Sequence, residues 1–271
     1  MDGEDEGKIG MKIRLYQIDA FVYDGIFSGN PAGVCPLDDW LPEDTMQKIA
    51  NENNLAETAF FVKTDGEYSI RWFTPKTEVS LCGHATLAAA YALFEYEGCG
   101  GRSVVFDSRS GRLSASREGD FISMNFPADD ITKVSVDGPL GSCFDLRPSE
   151  TYRGKTDYLL IYDDEDQIKK VRVDLAALSR IDARGAIVSA AGVNVDFVSR
   201  FFAPGIGIEE DPVTGSAHTT LIPYWSGRLR KEEMTAVQLS ERKGLLKCKN
   251  LKDRVEISGR AVCYMTGMIE I

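Results

Sequence analysis

The sequence predicts an α+β protein of two pseudo-equivalent domains, each a curved mixed or antiparallel β-sheet wrapped around one central α-helix, with a cleft between them. Three observations predict it. First, "IRWFTP" at 70–75 is echoed by "SRFFAP" at 199–204, an offset of 129 residues. Both read as strands halted by a proline. Second, each echo leads to a glycine that opens an apolar run, Gly83 before 85–96 and Gly215 before 216–226. A unit of strand, loop, glycine and buried helix that occurs twice, half a chain apart, is the mark of a duplication. Third, "ATLAAAYALF" is apolar all the way round, and a helix apolar on every face must be enclosed on every face.

Along the chain, "MDGEDEGKIG" reads as a flexible leader over 1–10, acidic where a secretory signal would be basic and then apolar. "MKIRLYQIDAFVY" is a strand, and "FSGNPAGV" at 27–34 reads as a turn by composition. "LPEDTMQKIANEN" is an amphipathic surface helix with Pro42 at its first position and acids in its first turn. "TAFFVKTDGEYSIRWF" is a hairpin whose Asp65-Gly66 suits a type I′ turn. Residues 103–126 give three short strands with turns at Ser108–Ser110 and Glu118–Asp120. The Pro/Asp break in "NFPADDITKV" divides an N-terminal domain, 11–127, from a C-terminal domain, 128–271, whose last strand is free to return to the first. In the second domain "DYLLIY", "AIVSAA", "DFVSRFF", "AVQLSE" and "RVEISGRAVCYM" are strands and "LAALSRI" a second surface helix. Pro223 should kink or shorten the second central helix.

With 271 residues the chain can bury a large core, and 43% hydrophobic with 27% charged residues is ordinary globular composition. A net charge of −11 disfavours nucleic acid and anionic membrane surfaces as partners. No segment reaches 18 uninterrupted apolar residues, so no membrane span is expected. Six scattered cysteines without CxxC pairs, and no secretory signal, read as reduced thiols of a cytoplasmic protein. No metal is expected: the two histidines, His84 and His218, are 134 positions apart without close-spaced second ligands.

Enclosing each central helix leaves its N-terminus near the surface, with unpaired N–H groups and partial positive charge. Two such ends across a cleft would bind an anion, with Gly83 and Gly215 allowing close approach. Around them stand the residues that could carry chemistry. Glu57 enters a Phe-rich strand, either as a strand-edge carboxylate in water or enclosed by apolar neighbours, where a carboxylate holds its proton to higher pH. His84 either orients or protonates a substrate or is a satisfied helix-start histidine. Asp211 either caps its Asp-Pro turn or reaches the cleft as a second carboxylate, while Glu209 and Glu210 read as solvated. Thr214 and Ser216 are N-cap types that could also donate to a bound carboxylate. Cys82 is either a thiolate activated by the helix start or small core filler. Asn30, in its turn, could contact substrate.

These blocks together resemble the PhzF-like family of phenazine-biosynthesis isomerases, which shares the fold of diaminopimelate epimerase. The likeness runs from Met11 through "YQIDAFVYDGIFSGNPAGV", "NLAETAFFV", "RWFTPKTEVSLCGHAT", "RFFAPGIGIEEDPVTGSAH" and "VQLSERKGLLKC…RVEISGRAV". The resemblance implies a proton-shuttling Glu at Glu57, a helix-start His at His84 and a second-domain Asp at Asp211, with Gly83 and Ser216 lining the pocket. It implies general acid–base isomerisation of a small carboxylic acid without cofactor, and a homodimer. Two-thiol racemisation is disfavoured, since the second region, "DPVTGSAH", has no cysteine. A one-thiol epimerase using Cys82 and a non-catalytic binding protein on the same fold remain as alternatives.

Overall fold

The computed structural model describes residues 10–64 and 66–271, so the expected leader, apart from Gly10, and Asp65 of the hairpin turn lie outside the described residues. The first half of the chain runs β1 (Lys12–Ala20), β2 (Asn30–Leu37), α1 (Glu43–Asn53), β3 (Glu57–Thr64), β4 (Glu67–Phe73), β5 (Glu78–Val79), α2 (Gly83–Glu95), β6 (Ser103–Ser108), β7 (Gly111–Glu118) and β8 (Phe121–Pro127). The second runs β9 (Thr132–Val134), β10 (Glu150–Arg153), β11 (Asp157–Ile161), α3 (Glu165–Lys170), α4 (Leu175–Leu178), β12 (Gly185–Ala191), β13 (Phe197–Phe202), α5 (Gly215–Leu229), β14 (Glu233–Gln238), β15 (Gly244–Asn250) and β16 (Arg254–Gly259). β17 (Ala261–Glu270) follows.

Strand pairing carries the duplication further than the sequence echo does. From β9 to β16 neighbours pair antiparallel, antiparallel, parallel, antiparallel, parallel, antiparallel, antiparallel. The series β17, β1, β2, β3, β4, β6, β7, β8 repeats that order step for step. Each parallel pair is bridged by helix, as a parallel crossover requires: α1 and α2 in one half, α3 with α4 and α5 in the other. β8 and β16 pair antiparallel and join the halves. The echoed segments fall in β4 and β13, at equivalent steps.

Each central helix is buried where its sheet encloses it. α2 buries His84 through Ala90 and then Ala92 and Leu93. α5 buries Leu221, Ile222 and Trp225, with the indole stacked on Phe197 at 5.7 Å and its Nε1 donating to Ser189 Oγ at 2.9 Å. The pairing satisfies the one polar atom that so large a buried ring carries. Among the described residues no helix is long and apolar enough to cross a membrane.

Several local expectations are corrected. Pro223 does not shorten α5, which runs to Leu229. A mid-helix proline frees the carbonyl four residues earlier, here that of Thr219, and the backbone N–H of Asp129 donates to it at 3.1 Å. The partner is supplied by the segment between β8 and β9, whose Asp129 also accepts from Thr220 Oγ1 at 2.9 Å. "FSGNPAGV" is a turn only as far as Gly29, because Asn30 starts β2. Pro31 is tolerated there since pairing with β3 begins only at Ala32 opposite Glu57. β5, β9, β10, β15 and α3 were not expected. The first three are two to four residues long, too short to show a period. In β15, Lys247 and Lys249 break the apolar run.

Candidate active site

The two helix starts meet. A Cβ built on Gly83 would stand 3.7 Å from the Cα of Gly215, and one built on Gly215 would stand 3.7 Å from that of Gly83. No side chain caps either helix: Cys82 and Thr214 are the N-cap residues, and the side chain of neither accepts a hydrogen bond from its helix. The first N–H groups of α2 and α5 therefore converge without acceptors, which is the arrangement that attracts a carboxylate. A cleft of about 620 Å³ opens at this point, walled by Leu81, Phe126, Phe201, Ile206 and Ile208.

Glu57, Cys82, Gly83, His84, Asp211, Thr214, Gly215 and Ser216 all line that cleft. Glu57 gets there because Asn54, in the left-handed conformation, ends α1 three residues before β3 begins. Its Oε2 lies 3.1 Å from His84 Nε2, off the line of a good hydrogen bond, in a largely buried ion pair. Burial disfavours a charged imidazole, but negative charge on Cys82, whenever its thiol is ionised, and on Glu57 outweighs it and raises His84 well above its ordinary value. Burial pushes the Cys82 thiol up, with the Glu57 charge adding to it. Of the two readings of Cys82, this favours the small enclosed side chain over a thiolate activated by the helix start, because enclosure outweighs the helix and His84 together. A protonated thiol leaves Glu57 as the counter-ion of His84.

Asp211 is the second buried carboxylate. Thr214 Oγ1 donates to its Oδ2 at 2.5 Å and Asn30 Nδ2 to its Oδ1 at 2.7 Å, while Gln238 Nε2 donates to its backbone oxygen at 2.7 Å. Burial still pushes its pKa up to about 6, opposed chiefly by His84. The folded protein therefore keeps a proton on Asp211 between about pH 4 and 6 that the unfolded chain has released. Its contribution to stability falls as pH rises through that window, and the cost of the buried charge is complete above it. We expect the Asp211→Asn variant, relative to the parent, to gain on the order of 2–3 kcal/mol between pH 4 and 7, on top of any constant offset from altered hydrogen bonds. Urea unfolding across that range reads the slope, and parallel pH profiles would remove the assignment.

Asn30 is the expected substrate contact that the structure places elsewhere. It is fully buried behind the cleft wall, its amide shared between Asp211 Oδ1 and Val213 O and lying 3.3 Å from His84 Nδ1. Its position ties a residue of the first half to two of the second. Spacing along the chain offers no metal site, yet the fold brings ligand-type atoms of Glu57, Cys82 and His84 within 4.8 Å of one another. As described, that sulfur is protonated and the imidazole Nε2 faces Glu57, so the trio is engaged with itself.

Sequence reasoning also missed Arg184. Its guanidinium grips buried Asp157 in a two-point ion pair, with Nε to Oδ1 at 2.9 Å and Nη2 to Oδ2, stacks over Phe201, and gives Nη1 to Ser216 Oγ at 2.9 Å. A hydroxyl that accepts from Arg184 keeps its own hydrogen for the cleft. The available signal was a lone charge just before each of two apolar runs, "DYLLIY" and "GAIVSAA"; Asp157 opens β11 beside Gly185 of β12.

The family model described as phenazine biosynthesis-like protein, PhzC-PhzF, matches residues 18–267. The chain belongs to the phenazine biosynthesis-like family. An uncharacterized isomerase of Pseudomonas aeruginosa is 46% identical over 261 residues, spanning 96% of this chain and all of the relative. The crystal structure of a PhzF-family protein from Enterococcus faecalis superimposes with a TM-score of 0.93 at 42% identity, over 96% of this chain and all of that one. A hydroxyproline epimerase from Agrobacterium vitis, 10% identical, shares the fold at a TM-score of 0.60 over 96% of this chain and 93% of that one. Like the curated relatives named isomerases, the chain is an isomerase.

Proposed function

We propose that the chain moves a proton between two carbons of a small carboxylic acid by general acid–base catalysis, with Glu57, His84 and Asp211 as its catalytic groups. The observation that carries this reading is the Glu57–His84 pair standing beside two uncapped helix starts in one apolar-walled cleft. The substrate carboxylate sits on the N–H groups of Gly83, Gly215 and Ser216. Glu57 takes the proton as a C–H bond breaks, and the electron pair shifts into a new C=C bond. The former double-bond pair takes the proton back from Glu57 at the far carbon. Atoms and electrons balance with no co-reactant. Charge that develops toward the carboxylate in between is met by the helix starts, preorganised donors in a site poor in water. His84 holds Glu57 in place at 3.1 Å, and Asp211, poised near pH 6, holds the other end of the rearranging system. No step calls on a metal or an organic cofactor. The protein acts in the cytoplasm as a homodimer.

Screening cyclic and amino-acid carboxylates for deuterium uptake from heavy water tests the reading, since every productive substrate must exchange a carbon-bound hydrogen. Failure of all of them to exchange would count against it. A one-thiol epimerase is the second reading, favoured by the place of Cys82 on the cleft wall beside Glu57 and His84. A thiol kept protonated by burial is a poor base. We therefore expect Cys82→Ala to retain turnover within about tenfold, whereas loss of a positioned base costs about 10²-fold or more; abolition would favour the thiol.

A further inference from the structure

Six described residues other than glycine hold a positive φ. Five of them, Phe27, Asn54, Arg230, Lys243 and Lys252, are exposed. The sixth is Phe21, at φ 59° and fully buried just past the end of β1. A bulky side chain in that conformation is strained, and such strain persists only where the surroundings dictate it. Here they do. Leu245 donates its N–H to the Phe21 carbonyl at 3.1 Å, and the N–H of Val22 donates to Arg260 O at 3.1 Å. Residues of the second half thus hold a first-half turn in a conformation that costs it energy.

The ring so placed lies between two glycines. On one side, a Cβ built on Gly259 would stand 2.9 Å from Phe21 Cε1 and 3.1 Å from Cγ, and closer still to Cδ1. Those ring atoms are the three nearest it would meet, and Gly259 has no positive φ, so the ring is what demands glycine there. On the other side, a Cβ built on Gly215 would stand 4.0 Å from both Cε2 and Cζ of the same ring. Gly215 faces Gly83 across the meeting of the helix starts, and Cζ of Phe126 lies 3.9 Å from a Cβ built on Gly83. Gly259, Phe21, Gly215, Gly83 and Phe126 therefore form one row of contacts that passes through both helix starts. Phe126 belongs to the cleft wall, whereas Phe21 backs the row from behind it.

We propose that Phe21 is a positioning residue of the reaction: its ring, locked behind Gly215, sets the spacing of the two helix starts and through it the hold on the substrate carboxylate. It rests on the carboxylate site read above and adds what fixes the width of that site. Glycine at position 21 would relieve the backbone, but it would leave nothing between Gly259 and Gly215. Close-packed interiors transmit a push because they have little free space to absorb it. A methyl group added at Gly259 drives the ring toward Gly215 and turns the first N–H groups of α5 away from those of α2. A smaller side chain at position 21 takes the backing away and lets the same N–H groups drift. Either change spoils their convergence on one carboxylate.

Benzoate, a carboxylate on an apolar ring, is the probe, and the backbone amide signals of Gly83 and Gly215 in the full chain report its binding by nuclear magnetic resonance. Both signals are expected to move when the wild type is titrated. Gly259→Ala and Phe21→Leu should each raise the dissociation constant about tenfold, the worth of one charge-assisted hydrogen bond. Combined, they should bring it back to within about threefold of the parent, because the added methyl takes up space that leucine leaves. A purely structural role would lower the urea midpoint of each single variant and leave the affinity of the folded protein untouched, and that result overturns the proposal. Weakened binding that the double variant does not recover overturns it as well, since the effect would not then run through the ring. Glycine amides that stay unmoved in the wild type remove the carboxylate site and the role of Phe21 together, while proton transfer is tested separately by the deuterium screen. Should Gly259→Ala fail to fold, Phe21→Leu alone decides: the same loss of affinity supports the role, and an unchanged affinity ends it.

Discussion

Glu57→Gln is expected to lower turnover by about 10²-fold or more, the worth of a positioned acid–base group, while the protein still folds and still binds ligand. Glutamine keeps the length of the side chain and one oxygen for His84, but it cannot take up a proton from carbon. The variant also removes the counter-ion of His84, whose charged form the Glu57 carboxylate supports. The imidazole should therefore titrate lower in the variant than in the parent, a shift that nuclear magnetic resonance of the ring protons can read. Glu57→Asp should suffer too, because the carboxylate retreats by one methylene from a pair that stands at 3.1 Å. Deuterium uptake from heavy water by whichever carboxylate the screen returns is the measurement. Near-normal exchange in Glu57→Gln would end the assignment of this residue as the proton carrier.

The largest expected loss of stability belongs to Arg184. Replacing it by leucine leaves Asp157, which is 1% exposed, with a charge and one remaining side-chain donor, the Thr156 hydroxyl at 3.2 Å. Breaking a buried ion pair by removing one partner typically costs about 3–5 kcal/mol, because the other charge stays behind uncompensated. Urea unfolding of Arg184→Leu should show a loss of that order. Arg184→Lys should recover only part of it, since an ammonium cannot reproduce the two-point grip on Asp157 and reach Ser216 as well. Adding Asp157→Asn to Arg184→Leu removes the stranded charge and should restore much of the loss. A cost below about 1 kcal/mol, the value of a surface pair, would mean that the pair is not structural. The ligand side has its own signature: with Arg184 gone, the Ser216 hydroxyl loses the donor that turned its hydrogen toward the cleft, so carboxylate binding should weaken even in variants that regain stability.

How much of this was legible in the chain depends on whether the signal was local. The central helices were, because "ATLAAAYALF" is apolar on every face and each glycine that opens a helix follows a strand ending in proline. Glu57, His84 and Asp211 could be named as candidates, but only the fold brings them together, through β3, α2 and the loop before α5. Asn30 was misplaced because composition around Gly29 and Pro31 speaks of a turn while a strand begins between them. Arg184 and Asp157 were missed because their pairing lies across two parallel strands, 27 residues apart in the chain, where no sequence period connects them. Pro223 misled for a related reason. Its missing hydrogen bond is made good by Asp129, which no window around the proline contains.

The shared pairing order of the two halves has a consequence for how the molecule is made. Every strand of the second half, β9 to β16, is contiguous in the chain, whereas the first half borrows β17, and Lys12 pairs with Glu270. A ribosome that has delivered β1 through β8 has produced a sheet with an open margin along β1. That margin stays open while the whole second half is translated. Closing it means joining β1 to a strand that follows the whole second half in the chain, the kind of distant contact that slows folding and leaves sticky surface exposed meanwhile. Birth order and spatial order disagree by one strand, and for the length of synthesis the older half is the unfinished one.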